Sequence, residues 1–122
     1  MVSANTLEFV VGLVAAGVVT GGLALYVPLP YSLAVGLAAG TPSLVRTSMR
    51  LDRDRYEAAK SSTEQVVDGA LAAAATLAVG VAGGYVALES GYSGSIGAAV
   101  AAGVGVFGGQ AVFYVRNSEY VE

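Results

Sequence analysis

Apolar positions in this chain do not alternate or fall on one helical stripe. They fill four long runs, over residues 7–27, 31–48, 66–88 and 95–115, separated by three connections. A run of that length with no polar face has no water-facing side to offer, so it predicts a helix buried all round, as in a membrane. Leu7 to Val27 alone would rise about 31 Å at 1.5 Å per residue, close to the hydrocarbon thickness of a bilayer. The pattern therefore predicts an all-α fold, an integral membrane four-helix bundle made of two transmembrane hairpins in one domain over residues 1–122.

The punctuation fits those spans. Pro28 and Pro30 remove backbone donors and fix a tight turn between Tyr26 and Tyr31, which suit interfacial depth. The second run is the weakest, because Thr41-Pro42 interrupts it and Arg46 arrives early; it crosses if Arg46 snorkels toward the headgroups, and is otherwise a re-entrant half-helix. Residues 49–65 form the one substantial polar stretch, with charges alternating from Arg50 to Glu57 and i,i+4 pairs such as Arg50 with Asp54 and Arg53 with Glu57. Ser61 followed by Glu64 predicts a capping box at the start of the third long helix. Glu89-Ser90-Gly91-Tyr92 links the last two spans.

Charge then sets the orientation. Arg46, Arg50, Arg53, Arg55 and Lys60 lie between the second and third runs, Arg116 follows the fourth, and the other two connections carry no basic residue. Short cytoplasmic loops retain Lys and Arg, so the distribution predicts a multi-pass protein of the cell membrane with both termini and the central hairpin inside. Residues 1–8 contain no basic residue, and Glu8 directly precedes the apolar run, unlike a secretory signal.

Composition narrows the function classes. At 55% hydrophobic and 12% charged the chain is too apolar for an ordinary soluble domain, and its net charge of -3 argues against nucleic acid as a partner. It has no Cys and no His, so thiolate or imidazole metal sites, disulfides and histidine-ligated haem are excluded, and no cofactor is expected. The carboxylates Asp52, Asp54 and Glu57 are interleaved with arginines and read as a solvated face. The acidic, Ala-, Gly- and Val-rich composition resembles that of small membrane proteins of salt-loving archaea. In length and span number the chain is similar to the small multidrug-resistance transporters, but their central carboxylate in the first helix has no counterpart here. It is also similar in size to the fluoride channels, many of which insert in both orientations, against the one-sided basic residues here. No site residue is carried over from either family.

Each run carries glycines four apart: Gly17 and Gly21, Gly36 and Gly40, Gly80 and Gly84, Gly105 and Gly109. Such pairs let helix backbones approach closely in lipid, so all eight are candidate packing positions. Gly103, Gly108 and Gly109 with Phe107 mark the fourth run as the candidate face for a second copy or a membrane-protein partner.

Polar chemistry within the runs is sparse. Glu8 and Asp68 read as boundary residues at helix ends, while Gln110, whose amide a regular helix cannot satisfy, is expected to bond another helix or line a pore together with Thr41. Arg46, Arg50, Arg53 and Arg55 either set topology alone or also dock a partner or anionic headgroups. With no catalytic constellation, the expected function is non-enzymatic: a small structural or assembly subunit acting through helix association in the bilayer. A small oligomeric permease, channel or holin-like pore is the alternative.

Overall fold

The computed structural model of the chain describes residues 3–47, 50–92 and 94–121, and among them every regular element is helical. The long helices are α1 (Ala4–Leu23), α2 (Leu29–Arg46), α4 (Ser62–Glu89) and α5 (Ser95–Arg116); α3 (Arg53–Ala59) is short, and a single 3-10 turn covers Ser118–Tyr120. α1, α4 and α5 are each long and apolar enough to cross a membrane. α2, whose 18 residues include Pro30, Pro42 and Arg46, is long enough but not apolar enough to join them. Part of the expected second span and of the polar hairpin, residues 48 and 49, lies outside the described residues.

The helix ends follow local chemistry. Ser3 caps α1 by accepting from the Thr6 amide, so the helix starts earlier than the apolar run, and it ends at Leu23, before the turn that leads to Pro28. Pro28 is the N-cap of α2, where a missing N–H costs nothing. The predicted capping box is present: the Ser61 hydroxyl accepts from the Glu64 amide, and the Glu64 carboxylate accepts from the Ser61 amide. α4 ends where Gly91 adopts φ +92° and the Tyr92 amide reaches back to the Ala87 carbonyl at 2.8 Å, a left-handed cap that favours glycine.

α2 is the central element. It packs against α1, α4 and α5, α4 and α5 pack on each other, and α1 packs chiefly on α2. Burial at Pro30, Ser32, Ala34, Gly36, Ala38 and Gly40 falls on every second residue. Positions two apart on a helix point about 200° from one another, so this alternation means opposite faces are both covered by protein. A helix enclosed this way has little outward surface to keep apolar, and it is the least apolar of the four long helices.

Small residues make these contacts. A Cβ on Gly36 would lie 2.6 Å from the Ala16 carbonyl oxygen, and one on Gly40 would run into the Gly12 backbone, so α1 and α2 touch through Gly12, Ala16, Gly36 and Gly40. Across the α4–α5 contact, a Cβ on Gly109 would stand 3.0 Å from the Ala72 carbonyl oxygen. Close backbone approach gains dispersion contacts that lipid cannot match, the usual basis of helix pairing in membranes.

Candidate functional site at the charged end of the helices

The start of α1, the end of α2, all of α3, the start of α4 and the end of α5 meet at one end of the molecule. There Arg53 Nη1 donates to Asn5 Oδ1 at 2.7 Å, and the Asp52 amide donates to the Tyr120 carbonyl at 2.7 Å beside an antiparallel bridge between Leu51 and Val121. The central polar stretch is thus folded onto the helix ends, where the alternating charges had suggested a solvated extension.

Two carboxylates organise this end. Glu8 accepts from Arg53 Nη2, and its other oxygen lies 2.7 Å from Arg46 Nη2 as an ion contact without hydrogen-bond alignment. Arg53 also bonds Glu57 at 2.7 Å, the i,i+4 pair expected from the sequence, and Arg46 donates to Gln65 Oε1 at 3.1 Å. Burial alone would lower the Arg53 pKa, but its bonds to Glu57 and Glu8 outweigh that and raise it.

Asp68 is the second organiser. It is fully buried, and its carboxylate takes a hydrogen bond from Tyr56 Oη at 3.0 Å, another from Arg116 Nε at 3.0 Å, and an ion contact from Lys60 Nζ at 3.4 Å. The reading of Glu8 and Asp68 as simple boundary residues is therefore corrected: each ties several elements together. A buried carboxylate is tolerable because its partners replace water.

Tyr56 is the plug of this end. Its ring is fully buried against Phe113 and Tyr120, with centroids 5.5 and 5.9 Å away, in a cluster with Val45, Leu51 and Ala72. Burial raises its phenol pKa, and the hydrogen bond to Asp68 and that residue's charge raise it further, against weaker opposition from Arg46 and Arg116. Arg55 lies over the Tyr120 ring and Arg50 over the Tyr114 ring, both 5.8 Å from the centroid. All four arginines expected to set topology or dock a partner thus have partners within the chain. Tyr56 itself was not singled out in the sequence, although it is the lone aromatic residue between Met49 and Gln65.

Two cavities adjoin the cluster. The larger, about 360 Å³, lies in the α2–α4 groove, with Pro42, Val66, Gly69 and Ala70 as apolar wall and Arg46, Ser62 and Gln65 as polar rim. The smaller, about 20 Å³, lies between α2, α4 and α5 and is lined in part by Thr41, Thr76 and Gln110. Thr41, expected with Gln110 to make a polar contact, donates its hydroxyl to the Leu37 carbonyl at 2.6 Å and lies 3.1 Å from Thr76 Oγ1 on the facing helix, where the Thr76 hydroxyl can donate to it. Gln110 is exposed at the rim of the small cavity.

The glycines divide into two groups. Gly36, Gly40, Gly80, Gly84, Gly105, Gly108 and Gly109 face a neighbouring helix, whereas Gly17, Gly21 and Gly103 have nothing within 4 Å of an added Cβ. The within-chain contact expected of Gly17 and Gly21 is made by Gly12 and Ala16, because α1 turns that other face to α2. Phe107 is 75% exposed. Among the described residues no three Asp or Glu side chains converge as a metal site. The chain matches no protein-family model, no curated protein and no solved structure.

Proposed function

We propose that this chain is a multi-pass membrane protein with four crossings, both termini and the α3 hairpin on the cytoplasmic side of the cell membrane, and that it acts through association as a small non-enzymatic subunit. The observation that carries this reading is the face of α1. That helix packs chiefly on α2, and its outer side leaves Gly17 and Gly21 open beside exposed Val14 and Val18. Glycines that make no contact within the chain weaken helix propensity by about 1 kcal/mol each against alanine, a cost that close approach of another helix would offset. Burial of α2 among its neighbours supports a fourth crossing despite its modest apolarity, and confinement of all six basic residues to one end supports the orientation.

The runner-up, a small oligomeric permease or pore, is favoured by the Thr41, Thr76 and Gln110 cavity alone. At about 20 Å³ it holds roughly one water and suits a conduction path only if several copies widen it. One set of preparations separates the readings. Native mass measurement in mild detergent and crosslinking in the membrane should detect an assembly in the parent, lost in Gly21→Leu while the monomer stays folded. A strictly monomeric parent with no crosslinked partner would sink the association reading. Ion flux through reconstituted vesicles that vanishes in Gln110→Leu would put conduction in its place.

A further inference from the structure

Of the chain's five arginines, Arg46 also lines a cavity large enough for a ligand. Arg46 closes α2 at the rim of the 360 Å³ groove, and its side chain is 29% exposed. It uses Nη1 on Gln65 and Nη2 on Glu8, one contact to each nitrogen. A guanidinium carries five N–H donors in a planar fork, so further donors remain on this side chain for an oxygen ligand. The Ser62 hydroxyl stands across the rim, in the first turn of α4, where the capping box engages the Ser61 and Glu64 amides and the Ser62 and Thr63 amides have no acceptor within the helix. Below that rim the wall changes character to Pro42, Val66 and Ala70, with Val66 70% exposed.

We infer that this groove is a binding site for one glycerophospholipid of the leaflet facing α3, with its phosphodiester at Arg46 and Ser62 and an acyl chain along Pro42, Val66 and Ala70. The inference rests on the membrane reading above. The two-part lining matches an amphiphile better than a soluble anion, which would leave the apolar wall wet. Charge restricts the headgroup. Glu8 already touches the guanidinium, and Glu64 shares the first turn of α4 with Ser62. One guanidinium, already partly offset by Glu8, can balance at most a single phosphodiester charge and disfavours a headgroup with several phosphates. The second nearby cation, Lys60, is held by buried Asp68. Gly69 fixes the floor, since a Cβ there would stand 3.0 Å from Pro42 Cβ, and the groove exists because α2 and α4 close on each other at that point.

The test is titration of the full-length protein, purified in a mild detergent, with a phosphatidylglycerol, followed by native mass spectrometry. The parent should retain one lipid. Arg46→Gln should weaken retention by about tenfold, as expected for loss of a charge-assisted contact. Ala70→Phe, which fills the apolar wall and leaves every ion pair intact, should weaken it comparably. Glu8→Gln should not, because it removes the Arg46 ion contact but keeps the guanidinium. Unchanged retention in Ala70→Phe, equal loss in Glu8→Gln and Arg46→Gln, or displacement of the lipid by millimolar inorganic phosphate would each overturn the assignment. Failure of the parent to fractionate with membranes would instead overturn the reading on which it rests.

Discussion

Removing the Tyr56 hydroxyl should open the charged end without unfolding the helices. Tyr56→Phe keeps the ring against Phe113 and Tyr120 and deletes one hydrogen bond, 3.0 Å long, to a buried carboxylate. A bond to a charged group contributes about 1.5–3 kcal/mol. The lower end applies, because Asp68 keeps Arg116 at 3.0 Å and Lys60 at 3.4 Å and is not left bare. Tyr56→Ala also removes a fully buried aromatic ring, at about 3–5 kcal/mol. α3 is held largely through side chains, its main helical neighbour being the short turn at Ser118–Tyr120, so the loss should appear as local opening of α3. Trypsin reports that opening directly, since Arg53, Arg55 and Lys60 lie on or just after α3. When reclosing outpaces cleavage, the nicking rate follows the open population. A loss of about 1.5 kcal/mol predicts roughly tenfold faster nicking in Tyr56→Phe. Tyr56→Ala should be faster by a further order of magnitude or more. If Tyr56→Phe is nicked at the parental rate, the Asp68 bond does not hold α3 down. If the two variants are nicked equally fast, the ring packing does not.

The same tyrosine predicts an alkaline limit. Its ordinary pKa is 10.0 and the folded protein raises it, so the neutral phenol is the form the fold prefers; that stabilisation is complete below pH 10 and is lost as pH climbs toward the folded value. The denaturant midpoint of the parent should fall above about pH 10 relative to Tyr56→Phe, and parallel curves for the two would exclude a role for Tyr56 ionisation. Topology is open to a separate measurement, because the native chain has no cysteine. Single cysteines at Ser3, Ser62 and Ser118 should be shielded from an impermeant thiol reagent outside the cell and one at Ser90 should react; external labelling at Ser62 would make α2 re-entrant.

Hydrophobic run length, proline placement and the Ser61-Glu64 spacing act over a few residues, and for that reason the sequence by itself determined the long helices, the turn at Pro28 and the cap of α4. Helices start ahead of the run boundaries where a side chain caps them, as at Ser3 and Ser61, whereas α1 stops at Leu23, short of the end of its run. What tertiary structure decided is which face of each helix meets which neighbour. Glycines four apart recur in all four runs, and nothing in that spacing says that Gly36 and Gly40 meet α1 while Gly17 and Gly21 stay open. The same holds at the charged end. Glu8, Arg53, Asp68 and Arg116 are separated by as many as 48 residues in their pairings, and a charge at a helix end looks alike whether water or another helix satisfies it. Only the close packing of α2 among α1, α4 and α5 brings those helix ends together, and burial then turns separate boundary charges into one network around Tyr56 and Asp68.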